Sequence, residues 1–150
     1  MNQANDFSRM WEEGRTRFTK LLSNINEEDI KKTLWPAPNS AGFLIRHIAE
    51  VELLFAKNVF KAEDVQVHAS TVIAQKDTGE WTNLKKLIEY QQFASDHLGS
   101  IIQKQSDDDW KQSITTKEFG TKTKAEALGR IVSHTAYHAG QLAIILKYGK

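Results

Sequence analysis

Apolar side chains recur at intervals of three and four residues in four long stretches of the chain. Such spacing places them on one face of an α-helix, because a helix has about 3.6 residues per turn. The predicted amphipathic helices cover approximately residues 7–25, 40–60, 81–105 and 124–147. The last of them follows Thr123 with Glu126 three positions later, the capping-box pattern of a helix start. Four long amphipathic segments with little strand pattern predict an all-α four-helix bundle.

Two connections interrupt this helical pattern. Residues 61–80 have no sustained period, which predicts a long connection between the second and third helices with at most one short helical turn. A connection of this length in a compact domain is usually functional or mobile. Alternating residues around Phe119 and Gly120 predict a small hairpin or extended segment over residues 112–122. We expect residues 61–80 and 107–122 to line the mouth of any binding site, and residues 1–150 to form one domain.

The composition is that of an ordinary globular protein. With 150 residues, 40% of them hydrophobic and 26% charged, the chain is long enough to bury a core without disulfides. The net charge is +1, and no long stretch concentrates positive residues. Nucleic-acid binding needs a clustered positive footprint, so no nucleic-acid partner is expected. The tryptophans are expected in the core or at its ends: Trp11, Trp35, Trp81 and Trp110.

The chain contains no cysteine. This excludes disulfides, thiolate metal ligands and a cysteine nucleophile within it. The apolar runs are too short to span a bilayer, and the first ten residues lack the apolar core of a signal peptide. No membrane association is therefore expected, and the predicted location is cytoplasmic.

The histidines give the clearest chemical signal. His134 and His138 lie four residues apart in the fourth predicted helix, which leaves their imidazoles within about 40° of each other on one face. Apolar residues share that face, so it is predicted to point into the bundle. His47 lies in the middle of the apolar stripe of the second predicted helix. His68 and His97 fall outside the stripes and are expected at the surface.

Three inward histidines allow two interpretations. Bundle cores commonly hold metal ions between facing helices, and three neutral imidazoles leave a coordination position open for water or substrate. Alternatively, each ring is a core residue with an ordinary hydrogen-bond partner. A buried polar group without a partner costs about 1–3 kcal/mol, which makes three such rings harder to explain without an ion. Helix periodicity shows which face each ring occupies and leaves their proximity open.

Two sequence motifs resemble those of a known family. Residues 40–50 read SAGFLIRHIAE and follow WPAP at residues 35–38; residues 134–142 read HTAYHAGQL. Together they are similar to the second-helix and C-terminal signatures of the DinB/YfiT-like superfamily. The resemblance covers essentially the whole chain by helix order and spacing, although only these two motifs are specific.

The resemblance implies a bundle, often a homodimer, that holds a divalent ion through one histidine of the second helix and two of the fourth. Those roles carry over to His47, His134 and His138. Imidazole ligands suit zinc or nickel, and also iron or copper. Family members are described as candidate metal-dependent hydrolases, and some relatives are thiol S-transferases or isomerases that use bacillithiol or mycothiol. The motifs specify the site more closely than the reaction.

Three further polar residues near the histidines are weaker catalytic candidates. Glu50 is interpreted either as a residue that orients His47 or acts as a general base, or as a solvated helix residue, which we favour. Gln141 is expected to bond a ligand or to cap a polar group of the core. Tyr137 is expected either to donate to a substrate or, as we favour, to pack.

Three functional hypotheses follow. In the first, the chain is an enzyme whose metal ion activates water for hydrolysis or a low-molecular-weight thiol for transfer to a small-molecule substrate. Because the chain has no cysteine, the thiol would come from a cosubstrate. In the second, it is a non-catalytic, stress-associated interaction module in which the ion holds two helices together. In the third, it is a plain bundle with hydrogen-bonded core histidines.

Overall fold

The computed structural model of the protein describes residues 2–150, and long helices dominate it. The helices are α1 (Gln3–Leu22), α2 (Ala41–Asn58), the short α3 (Ser70–Ala74), α4 (Leu84–Lys104) and α5 (Lys124–Tyr148). Two 3₁₀ turns lie at Asp29–Lys31 and Asp109–Lys111. A hairpin of β1 (Ser113–Thr116) and β2 (Gly120–Thr123) precedes α5 and pairs antiparallel. The predicted all-α bundle and the small hairpin are confirmed.

Side-chain caps fix where the long helices begin. The Ser40 hydroxyl accepts a hydrogen bond from the Phe43 backbone N–H at the start of α2. Thr123 and Glu126 form the predicted capping box at the start of α5. Helix α4 begins at Leu84, three residues later than predicted, because the Asn83 side chain caps it.

The long helices pack so that α2 lies against both α4 and α5, and α1 lies against the same two helices. As a result α2 is buried on most sides, whereas the sequence predicted a single inward stripe for it. The packing of α2 against α5 brings the second and fourth predicted helices together. Among residues 2–150, no helix combines the length and the hydropathy that a membrane crossing requires.

The tryptophans do not all behave as predicted. Trp11 and Trp110 are buried in the core, and Trp81 is partly buried against it. Trp35 is 89% exposed, so the prediction that it is a core or end-capping residue is wrong. It lies in the segment between the first 3₁₀ turn and α2. The backbone of this segment is hydrogen-bonded at Thr33 to the backbone of Lys150, and the Trp35 ring lies in solvent.

Two helical glycines give a matched test of how closely α2 is packed. A methyl group on Gly42 would lie 2.0 Å from the Trp81 carbonyl oxygen, whereas one on Gly129 of α5 would meet nothing within 4 Å. We expect Gly42→Ala to lower the free energy of unfolding by about 1–3 kcal/mol or more through overpacking. Gly129→Ala should raise it by about 0.5–1 kcal/mol, because alanine favours the helix. Urea unfolding followed by circular dichroism measures both, and shifts of the same sign would contradict the packing described.

Candidate metal site

The packing of α2 against α5 places His47, His134 and His138 together. The Nε2 atoms of His47 and His134 are 3.2 Å apart. One ring nitrogen from each of the three histidines lies within 4.8 Å of the others, a spacing that could hold a metal ion. The three rings are partly buried on the wall of the bundle.

Burial keeps these imidazoles neutral at physiological pH. Desolvation, reinforced by the neighbouring His138, lowers the pKa of His47 to about 4. Desolvation and the two other rings lower the pKa of His134 to about 3. Burial also lowers the pKa of His138, although its hydrogen bond to Gln141 acts in the opposite direction. Neutral imidazole is the form that binds a metal ion, so the rings are in the required state.

Hydrogen bonds to the Nδ1 atoms orient two of the rings. The Gln141 side-chain oxygen lies 2.7 Å from His138 Nδ1 and accepts its hydrogen. The Thr71 hydroxyl oxygen lies 3.0 Å from His47 Nδ1. Both contacts leave the Nε2 lone pair of the ring available, which is the usual arrangement when a protein group supports a histidine ligand.

His134 provides a test of whether these residues fit an ion. Its Nδ1 is buried and has no hydrogen-bond partner among residues 2–150. Its Nε2 faces the Nε2 of His47, a nitrogen that carries a lone pair. These two Nε2 atoms can share at most one proton, whereas a metal ion accepts a lone pair from each of them. Three neutral imidazoles with ring nitrogens within 4.8 Å of one another therefore fit a divalent ion.

Glu50 is fully buried, so the favoured prediction of a solvated helix residue is wrong. One carboxylate oxygen accepts a hydrogen bond of 2.8 Å from Arg46 Nε. The other accepts from the hydroxyl and the backbone N–H of Thr71. Glu50 therefore reaches His47 through Thr71. The prediction failed because α3 covers this side of α2, and the sequence of the connection gave no sign that Thr71 would be buried there.

The remaining candidates lie at different distances from the three rings. Tyr137 is 65% exposed, and its ring lies edge-on to that of His138 with centroids 5.1 Å apart. Tyr137 therefore packs against His138, as we favoured, but most of its side chain lies in solvent. His68 is exposed, and His97 is partly exposed with its Nδ1 3.0 Å from the Phe93 carbonyl oxygen. Neither belongs to the three-histidine cluster.

An open pocket of about 610 Å³ lies beside His47 and His134. Its wall is apolar and includes Val51, Leu54, Phe55, Val59 and Phe119. Its rim comes from the two connections, with Lys61 and Val72 on one side and residues 115–118 of the hairpin on the other. These are the two connections that were predicted from the sequence to line the mouth of the site. A second pocket, of about 630 Å³, is lined by residues of α1, of the turn that follows it and of α5, and not by the histidines.

Fold and site together define a class of protein: a four-helix bundle with three clustered histidines on two neighbouring helices, next to an open pocket. The chain belongs to the DinB superfamily, whose family model matches residues 10–142. The family predicted from the two motifs is therefore confirmed.

Solved structures extend the comparison. The chain is similar to the crystal structure of the mycothiol-dependent maleylpyruvate isomerase, with a TM-score of 0.71 and 16% sequence identity over 93% of this chain and 60% of that one. A histidine-to-alanine mutant of that isomerase gives a TM-score of 0.66 at the same identity and coverage. At this identity the likeness shows the fold, and the chain spans about 60% of the length of these structures. No curated protein matches the sequence significantly.

The hydrogen bonds at Nδ1 predict the tautomers of two rings. In metal-free protein at pH 7, we expect His47 and His138 to carry their proton on Nδ1, because Thr71 and Gln141 accept there. Long-range ¹H–¹⁵N correlation spectra distinguish the two ring nitrogens. Gln141→Leu should change the tautomer population of His138 and leave that of His47 as it is. A proton on Nε2 of both rings in the unsubstituted protein would contradict the assignment.

Proposed function

We propose that His47, His134 and His138 bind one divalent metal ion at which a low-molecular-weight thiol is transferred to an electrophilic small molecule. The proposal rests on the meeting of three neutral imidazoles, two of which, those of His47 and His134, lie on the wall of an open pocket. Structural zinc sites are usually closed by four protein ligands, whereas catalytic sites have three and leave a position for substrate. The cluster has three histidines and opens on one side.

His47, His134 and His138 would hold the ion, which would supply a site where a thiol is ionised more readily than in water. The sulfur would then form a bond to an electrophilic carbon, and the leaving group would depart with the electron pair of its own bond. The thiol proton passes to solvent, so no oxidant or reductant is needed. Because the chain has no cysteine, the thiol comes from a cosubstrate. The fold shared with mycothiol-dependent isomerases supports a thiol of this kind.

The surroundings of Glu50 favour thiol transfer over hydrolysis. Hydrolysis by a bound water is helped by a general base within hydrogen-bond reach of that water. Both oxygens of Glu50 already accept hydrogen bonds, from Arg46 and from Thr71. A thiol is more acidic than water, so an ion at this site would ionise it more readily, and the lack of a free base affects thiol transfer less than hydrolysis.

The pocket accounts for the binding of the two reactants. Its apolar wall, which includes Val51 and Phe119, would pack against an apolar part of the electrophile. Lys61 and Lys117 lie exposed at the rim. Glu118 lies at the same rim and pairs with Arg130. The two lysines therefore leave the rim positive, which favours a cosubstrate or substrate that carries a carboxylate.

The second candidate function is a non-catalytic module in which the ion links α2 to α5. The ion has the same three histidine ligands in both candidate functions. The two differ only in whether a substrate reacts at the remaining coordination position of the ion. Three predictions from the sequence belong to this proposal: the native ion is zinc or nickel, the protein is a homodimer, and its location is cytoplasmic. The mass of the protein in solution tests the dimer directly.

Metal binding should depend on the three clustered histidines and on no others. In protein purified without a histidine tag, we expect one ion per chain and a large loss of affinity in His47→Ala, His134→Ala and His138→Ala, because each removes one donor. His68→Ala and His97→Ala are the matched controls and should bind as the unsubstituted protein does. Calorimetric titration with zinc measures this, and equal affinity in all five variants would contradict the assignment.

Turnover should require both the ion and a thiol. With 1-chloro-2,4-dinitrobenzene as electrophile, we expect thioether formation from bacillithiol, mycothiol, cysteine or glutathione, with loss of chloride and a preference among the four thiols. A chelator should abolish the reaction, and zinc or nickel should restore it.

If no thiol is consumed in a metal-dependent way, thiol transfer is wrong. A chelated protein that loses tens of degrees of thermal stability would instead favour the structural ion of the non-catalytic module.

A further inference from the structure

A buried threonine from the connection between α2 and α4 contacts the proposed metal site. Thr71 belongs to the short helix α3 and is 2% exposed. Its hydroxyl oxygen lies 3.0 Å from His47 Nδ1 and 2.5 Å from an oxygen of Glu50. Its backbone N–H donates to the same Glu50 oxygen over 2.9 Å. Val65 and Ala69 of the same connection are also buried, and Asp77 accepts hydrogen bonds from Ser40 at the start of α2. Thr71 is the contact that lies next to a candidate ligand.

The direction of these hydrogen bonds follows from the groups involved. A carboxylate only accepts, so the Thr71 hydroxyl donates its proton to Glu50. Its lone pair then faces His47 Nδ1, which must carry the proton of the ring. This arrangement leaves the Nε2 lone pair of His47 directed at the other two histidines, where Nε2 of His134 lies at 3.2 Å.

Glu50, which accepts from Thr71, is itself held in place by Arg46. Arg46 pairs with Glu50 at 2.8 Å, and its guanidinium carbon lies 3.4 Å from the ring centroid of Tyr90. The ring of Trp81 flanks the same guanidinium at 4.9 Å. Glu50 is thus fixed by a cation that two aromatic rings hold, and its carboxylate presents a constant acceptor to Thr71.

We propose that Thr71 and Glu50 are positioning residues that hold His47 as a metal ligand, so that metal binding and docking of residues 61–80 stabilise each other. This inference rests on the proposed metal site, but it is independent of the reaction carried out there. Outer groups that orient a ligating histidine typically change metal affinity by about 10–100-fold. Because linkage is reciprocal, the factor by which docking improves metal affinity is also the factor by which the ion stabilises the docked connection.

The docked segment also forms part of the pocket. Val72, next to Thr71, and Lys61 both line the rim beside His47. The same segment therefore supports the metal ligand with one side chain and shapes the entrance to the substrate pocket with others. Loading of the ion would accordingly favour a formed pocket.

The test compares two buried threonines by titration of metal-free protein with cobalt(II), followed by its visible absorption. Thr71→Val keeps the size of the side chain and removes the hydroxyl, and we expect it to weaken cobalt binding by about 10–100-fold. Thr71→Ser keeps the hydroxyl and should restore most of the affinity. Thr135→Val is the matched control, because the Thr135 hydroxyl is fully buried and has no hydrogen-bond partner in the described part of the chain. Its affinity should not change.

A second readout follows docking itself. The Thr71 amide donates to Glu50, so its hydrogen exchange reports whether the connection is in place. Cobalt or zinc should slow this exchange in the unsubstituted protein and have less effect in Thr71→Val. Wild-type affinity in Thr71→Val, together with lost affinity in His47→Ala, would overturn the positioning role while leaving the metal site intact. Unchanged cobalt affinity in His47→Ala would instead overturn the proposed site, and this inference with it.

Discussion

The packing of α2 against α5 is the constraint on which the proposed site depends. It brings His47 to His134 and His138, and it determines how far the three rings are shielded from water. Shielding lowers the pKa of His47 to about 4 and that of His134 to about 3. Both rings are therefore neutral near neutral pH, at which the side chain of a free histidine is partly protonated. A polar cluster in this position is unfavourable unless something pairs with its nitrogens, and a divalent ion does so directly.

The orientation of the histidine rings depends on the groups that are hydrogen-bonded to their Nδ1 atoms. Gln141 accepts from His138, while Thr71, held by Glu50, accepts from His47. The two supports differ in origin: Gln141 is three residues along the same helix, whereas Thr71 comes from a separate segment. The orientation of His138 is therefore a local property of α5, and that of His47 depends on tertiary structure. This difference makes His47 the proposed ligand whose geometry is most sensitive to the state of the 61–80 connection.

The sequence was sufficient to predict the bundle, because amphipathic periodicity and the capping box at Thr123 and Glu126 are local signals. The spacing of His134 and His138 likewise showed a shared face. Glu50 could not be placed from its own helix, because α3 covers it from a segment without any period. The exposure of Trp35 was missed for a similar reason: it depends on how the chain between two helices runs along the end of the bundle. Contacts that depend on irregular segments are set by tertiary packing, which residue spacing does not encode.

In the proposed site, all three histidines bind one divalent ion. A crystal structure of protein loaded with one equivalent of zinc, with anomalous differences recorded at the zinc edge, tests it most directly. We expect a single strong peak bonded to His47, His134 and His138, with Thr71 still hydrogen-bonded to Nδ1 of His47 and Gln141 to Nδ1 of His138. A peak at any other group of residues, with these three rings unliganded, would contradict it.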